Sequence, residues 1–312
     1  MDPYSRVGSD AMARIRYHRL ATERSNPRSR ALDRLSPGAI ARLMNRADLD
    51  ALRAVGRAAP AIGRAVAAIA ERLAGGGRLI FVGAGTSGRL GVIEAAECPP
   101  TFNTGPGQVQ AVMAGGRRAV FRSVEGAEDD ARAGTRAIRA RARRADAVVG
   151  IAASGVTPFV RAALAEARKR GAFTVLVTCN PSAPRGAARI VIALGVGPEV
   201  LAGSTRLKAG TATKLTLNTL TTAVFTRLGK VHGNRMVDLQ PRSAKLHARA
   251  ERLIAELGRV SAPRARRLLD QAGGSAKIAI VMARRRVTAA EARRRLRAAG
   301  GFLGRADRKS VV

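Results

Sequence analysis

The middle of the chain is punctuated by short apolar runs at residues 79–82, 147–152, 174–178 and 190–194, with a further candidate at 109–113. They are too short for helices and do not alternate apolar with polar positions, so they read as strands buried on both faces. Amphipathic stretches separate them. One runs from the Gly/Ser loop after the first strand through Ala96, and another from Pro158 to about Arg170, with Gly171 as its C-terminal cap. Alternation of this kind predicts an α/β fold with a doubly wound parallel sheet.

Helical spacing also marks both flanks. Residues 36–73 carry apolar positions at helical intervals, with Ser36 as N-cap and Pro37 at the first helical position, although Pro60 must break or kink this stretch. Residues 205–228 predict a long helix of mixed polarity. Beyond Gln240 the helices are of a separate kind. Thr288 and Glu291 form a capping box that starts one, and Gly300-Gly301 stops it. The expected organisation is N-terminal helices plus a sheet domain over 21–245 and a small helical region over 246–312. Residues 1–20 are basic and aperiodic. They read either as a disordered arm or as an over-extended start, with Met12 as the initiator.

Composition refines this picture. Hydrophobic residues make up 46% of the 312 positions but aromatics only 3%, with no Trp, so the core must be built from Ala, Val, Leu and Ile. The net charge of +34 is compatible with a polyanionic partner. The better reading is a chain-wide bias toward Ala, Gly and Arg, because the arginines are spread out apart from clusters such as 284–286 and 293–295. No helix-turn-helix pattern or set of stacking aromatics accompanies the charge, so no specific nucleic-acid binding is expected. Cys98 and Cys179 lie far apart and read as free thiols of a reducing compartment. Three His and two Cys show no metal-ligand spacing. No apolar leader or long uncharged apolar run occurs, which predicts a soluble, cytoplasmic protein without membrane contact.

The candidate chemistry lies in two loops. The first strand ends at Gly83-Ala84-Gly85-Thr86-Ser87-Gly88 and the third at Ala152-Ala153-Ser154-Gly155-Val156-Thr157. In open α/β sheets, ligands bind at this edge. Glycines let the backbone approach an anion, and free amides with the helix dipole favour negative charge. Gly83, Gly85 and Gly88 formally match a dinucleotide fingerprint. No acidic residue closes the second strand to hold a ribose, and no Walker sequence occurs. Two Ser/Thr loops favour a small phosphorylated ligand over a nucleotide. The plainer alternative is a pair of ordinary Gly-rich turns with Ser/Thr caps.

The same loops carry a resemblance. The block from Gly83 to Gly91, with Glu97-Cys98-Pro99-Pro100-Thr101, resembles the signature of the N-acetylmuramic acid 6-phosphate etherases. So do Val124-Glu125-Gly126-Ala127-Glu128-Asp129, the block from Gly150 to Gly155, and Gly197-Pro198-Glu199-Val200. The strongest single block is Gly203-Ser204-Thr205-Arg206-Leu207-Lys208-Ala209-Gly210-Thr211-Ala212, followed by residues 228–231, 233–234 and 236–238. Order and spacing agree from about Thr22 to Gln240, and more weakly through 287–303. The resemblance implies a sugar isomerase-type (SIS) domain and a homodimer with sites near the subunit interface. It also implies cofactor-free removal of D-lactate from a phosphorylated amino sugar. The chain departs from the family at Glu94, Val156 and His232. Val156 replaces an arginine inside the second loop.

The resemblance assigns Glu97 as the acid that protonates departing lactate and Glu128 as the base. Acid–base work of this kind suits carboxylates whose environments differ. Thr86, Ser87, Gly88, Ser154, Gly155 and Thr157 are the expected phosphate and sugar contacts. Ser204, Thr205, Arg206 and Lys208 rank second, with Lys208 open between an anion contact and a helix surface. Glu94 reads as a helix-surface or supporting acid, and His232 and His247 as structural. Two rivals share the fold. A non-catalytic sugar-phosphate regulator would keep both loops and could lose the two glutamates. An aldose–ketose phosphate isomerase would lack both glutamate blocks.

Overall fold

The computed structural model describes residues 20–239, 241 and 243–307. The basic arm expected over residues 1–20 lies outside the described residues except for Leu20.

Ser36 Oγ accepts the Ala39 amide at 3.3 Å and starts α1 (Pro37–Arg57), as the sequence predicts. That helix ends before Pro60, which sits in the first turn of α2 (Ala59–Ala74), where a missing amide hydrogen costs little. The chain then enters β1 (Leu79–Gly83), α3 (Gly85–Phe102) and β2 (Val109–Met113). A short α4 (Arg118–Phe121) and α5 (Ala131–Arg139) lead to β3 (Ala147–Ile151). Next come α6 (Pro158–Lys169), β4 (Phe173–Thr178), β5 (Ile190–Ala193) and α7 (Lys208–Arg227).

The five strands run parallel in the order β2-β1-β3-β4-β5. The strands are buried on both faces, so alternate residues feed two cores. Leu79, Phe81, Val149, Ile151 and Val177 pack under α1, α2, α3 and α7. Ile80, Val82, Val148 and Leu176 pack under α5 and α6 with Ile138, Phe159 and Leu164. Alanines such as Ala51, Ala65 and Ala212 are fully buried and let the helices approach closely without aromatic filler. Beneath the strand starts, buried Asp146 pairs with Arg78 and accepts the Arg78 and Arg143 amides. Burial alone would raise the Asp146 pKa. The Arg78 side chain and the two amides outweigh it, and the carboxyl is held below its usual range.

A hairpin of β6 (Val231–His232) and β7 (Arg235–Met236) leads to the C-terminal helices. These are α8 (Ala244–Gly258), α9 (Ala262–Gln271), α10 (Ala276–Arg285), α11 (Ala289–Ala298) and α12 (Leu303–Ala306). They enclose a separate core that includes Ile254, Leu269, Ile280 and Leu296 and begins at Val237, somewhat before the boundary read from sequence. Thr288 Oγ1 accepts the Glu291 amide, so the expected cap is present.

Two element ends differ from expectation. The helix expected to stop at Ala96 continues through Pro99 and Pro100 to Phe102 and closes on Asn103 at φ 51°. Burial of Cys98 and of Phe102, stacked on Phe225, accompanies this last turn despite the lost amide hydrogens. The helix expected from Thr205 begins only at Lys208, because the Glu199 carboxylate accepts the Lys208 and Ala209 amides at 3.1 and 2.9 Å. No helix among the described residues is long and apolar enough to cross a membrane.

Candidate active site

In a sheet of this order the direction of winding reverses between β1 and β3, and a crevice opens above their carboxyl ends. Gly83 lies opposite Ile151 in register, so the two predicted loops emerge side by side. The first loop turns directly into α3. A Cβ on Gly83 would lie 2.6 Å from the Gly88 amide, and one on Gly88 would lie 2.7 Å from the Gly83 carbonyl. Only glycine at both positions allows the first helical turn to rest on the strand end. Ala84 provides no side-chain cap, so the first-turn amides near Thr86 and Ser87 face the crevice without one.

The second loop is held by residues that sequence reasoning did not reach. Asn180, buried after β4, donates to the Ser154 carbonyl at 2.9 Å. Thr178 Oγ1 donates to the Ala153 carbonyl at 3.1 Å. Ser154 Oγ accepts the Val156 amide, and the Val156 side chain is buried. Thr157 precedes α6 and makes no side-chain cap bond there. The third block also arrives here. A Cβ on Gly210 would lie 3.7 Å from the Thr205 carbonyl and 3.8 Å from Thr86 Cγ2, so the Ser204–Thr205 turn adjoins the first loop.

A cavity of about 160 Å³ opens beside the first loop, lined by Gly85, Arg89, Ser123, Glu125 and Glu128 among others. Its outer wall is the segment between β2 and α5. Arg89 fastens that wall by donating to the Ala119 and Val120 carbonyls at 2.9 Å each. The Phe159 amide donates to the Glu128 carbonyl at 2.9 Å, which ties the Glu128 turn to the helix after β3. Partial burial raises the Glu128 pKa, and the neighbouring charges of Asp129 and Glu125 add to the effect. That makes Glu128 a stronger base than a free glutamate.

Glu97 is placed differently. Like Glu128 it is exposed, but it lies on α3, twelve residues past Gly85, which is about 18 Å along a helix axis. It does not line the cavity that holds Glu128. Its neighbour Glu94 is buried, which corrects the helix-surface reading. Glu94 accepts from Thr221, and Asn218 can donate to its other oxygen at 2.8 Å. Burial raises the Glu94 pKa and outweighs the Thr221 bond and the charge of Lys214. Lys208 is also corrected. It is 2% exposed and donates to the Val196 carbonyl at 2.8 Å, with Asp50 at 3.6 Å, so it is neither on a surface nor open to the cavity. The N-terminus of α7 already holds the Glu199 carboxylate. Burial pushes the thiols of Cys98 and Cys179 up to about 12, which leaves both inert. His247 pairs with Glu251 on the surface of α8.

A β2-β1-β3-β4-β5 sheet with paired Ser/Thr loops at its switch point defines an SIS-type α/β protein. The sequence matches the glucokinase regulatory protein N-terminal SIS domain over residues 61–168. It is 50% identical to the N-acetylmuramic acid 6-phosphate etherase of Gloeobacter violaceus over 286 residues, covering 91% of this chain and 94% of that one. It is 47% identical to the enzyme of the same name from Geobacillus thermodenitrificans, covering 92% and 98%. Among solved structures, the C-terminal domain of glucosamine-fructose-6-phosphate aminotransferase from Francisella tularensis aligns at 15% identity with a TM-score of 0.39, covering 67% of this chain and 58% of that chain. The chain belongs to the N-acetylmuramic acid 6-phosphate etherase family.

Proposed function

We propose that the chain cleaves the lactyl ether of N-acetylmuramic acid 6-phosphate with water, giving N-acetylglucosamine 6-phosphate and D-lactate. The supporting observation is that Glu128 and the Ala84–Gly85 turn, which leads into Thr86 and Ser87, line one cavity beside the carboxyl end of β1. Relatives of that name, similar over nearly the full length, agree with it.

In this reading the loops after β1 and β3 hold the sugar phosphate through amides and hydroxyls. The ring opens to its aldehyde, which acidifies the C2 proton. Glu128 removes that proton, the C3–O bond breaks, and Glu97 protonates the departing lactate oxygen. Water then adds at C3 of the unsaturated aldehyde and a proton returns to C2. No electrons leave the system, and no redox cofactor is required.

Glu97 must come to the cavity from elsewhere than its own protomer's Glu128 turn. A homodimer supplies it, with sites near the subunit interface. On α3, exposed Ile93 lies one turn before exposed Glu97, so a partner that covers the apolar side chain also covers the acid. Free, buried Cys98 and Cys179 fit a cytoplasmic enzyme of muramic acid catabolism and peptidoglycan recycling.

Turnover in D2O tests the reaction path. Elimination and hydration place deuterium at C2 of the product amino sugar. A product that keeps hydrogen at C2 throughout turnover would show direct displacement and remove the role given to Glu128.

A further inference from the structure

A second cavity, of about 400 Å³ and sharing no lining residue with the first, lies among the C-terminal helices where the chain leaves the β6–β7 hairpin. Its walls include Asp238 beyond β7, Ser275 and Lys277 at the start of α10, Arg293 and Arg297 on α11, and Gly301. The charges do not balance. Asp238 Oδ2 receives both Lys230 Nζ at 2.8 Å and Lys277 Nζ at 3.2 Å, so one carboxylate faces two ammoniums. Lys277 is 7% exposed, and burial lowers its pKa even though Asp238 opposes the shift. Among the described residues Arg293 has only a long bond, to the Ala272 carbonyl at 3.4 Å. The Arg297 guanidinium has no protein partner among the described residues. No second carboxylate lines the cavity. A Cβ on Gly301 would stand 4.0 Å from Lys277 Nζ, so glycine there leaves the approach to the ammonium uncrowded.

Buried Lys277 and exposed Arg293 and Arg297 line one cavity whose single carboxylate already meets two ammoniums, so positive charge there is left unmatched. The need is for an anion that accepts from several donors at once. The volume fits a small metabolite.

We propose that this C-terminal cavity is a second anion site, for the phosphate of a small phosphomonoester, separate from the catalytic cavity. The bound phosphate accepts from Lys277, Arg293 and Arg297 and draws α10 and α11 together beside the Lys230–Asp238 pair. The site lies beyond the C-terminal end of α7, where Gly301 abuts Gly229. The first loop adjoins that helix's other end, about 30 Å away for its twenty residues. The proposal does not rest on the etherase reading.

Inorganic phosphate is the probe, because it carries the shared chemistry and can be counted. Equilibrium dialysis of the full chain at about 0.15 M salt suppresses diffuse attraction to the basic surface. Arg297→Glu changes an exposed, unpartnered side chain outside the catalytic machinery. It should bind one phosphate fewer per chain than wild type, and Arg297→Lys should restore the count at about tenfold weaker affinity. Lactate release at saturating substrate without added phosphate should be the same in all three. Equal phosphate counts in wild type and Arg297→Glu would overturn the proposal. So would binding that disappears from wild type at this salt concentration.

Discussion

At the residue scale the account turns on two glutamates in unlike settings. Glu128→Gln and Glu97→Gln should each lower kcat by about 10²–10⁴-fold while sugar-phosphate binding persists. Steady-state kinetics alongside calorimetry separates the two effects. The pH profile carries a sign. The pKa of Glu128 is raised, so activity that needs its carboxylate should fail, as pH drops, at a higher pH than an ordinary glutamate would set. Glu125→Gln removes one of the neighbouring negative charges and should move that acidic limb to lower pH. A limb that stays put or moves up would contradict the placement. The thiols give a simpler check, since neither Cys98 nor Cys179 should react with alkylating reagents in the native protein. Glu97, Glu128 and the loop residues stand out because they sit in long blocks of fixed order, and the structure brings Glu128 and the first loop, but not Glu97 or the second loop, to the cavity. Asn180 was not legible, because it is a single polar residue whose partner lies across a strand, and Glu199, though it sits in a matching block, gave no sign that it would hold the start of the next helix. Lys208 sat in a matching block, but its burial against Val196 and Asp50 is set by the packing of α1 on α7, which no local pattern reveals.

At the scale of elements, strand–loop–helix joints determine where the chemistry sits. Gly88→Ala would press a methyl group against the Gly83 carbonyl, 2.7 Å away, and should destabilise the fold by about 1–3 kcal/mol. Thermal unfolding measures the loss, and lactate release should fall further than stability does, because the same turn presents the Thr86 and Ser87 amides. All five sheet strands were legible as short apolar runs, and Ser36, Gly171 and Thr288 marked helix ends correctly. The ends that were misread share a cause. Pro99 and Pro100 argue locally for termination, but Cys98 and Phe102 are buried and the helix continues. Thr205 looks like a helix start, but the Glu199 carboxylate sets the start three residues later. In both cases a tertiary contact decides what local propensity leaves undecided.

For the whole molecule, the sequence predicted a doubly wound sheet with a distinct helical appendage, and two cores on the sheet and a third beyond Val237 are found. The excess of arginine says little about the fold, because most of the side chains are exposed and a few, such as Arg78 and Arg89, have specific partners. Arg78 and Asp146 join the starts of β1 and β3. Asp146→Ala leaves the amides of Arg78 and Arg143 without their acceptor and should cost about 3–5 kcal/mol. The depressed Asp146 pKa also fixes a direction. The stability it contributes is fully present above the unfolded-state value near 4, and is lost as pH falls through the lower folded value. Wild type should therefore lose stability more steeply than Asp146→Ala in acid, as paired denaturant titrations would show.

The most direct test of the central claim is D-lactate released from N-acetylmuramic acid 6-phosphate by the purified protein, with Glu128→Gln beside it. The account predicts stoichiometric lactate and N-acetylglucosamine 6-phosphate from wild type and almost none from the variant. Folded wild type that binds the sugar phosphate but releases no lactate would contradict it and would leave a sugar-phosphate regulator on the same fold.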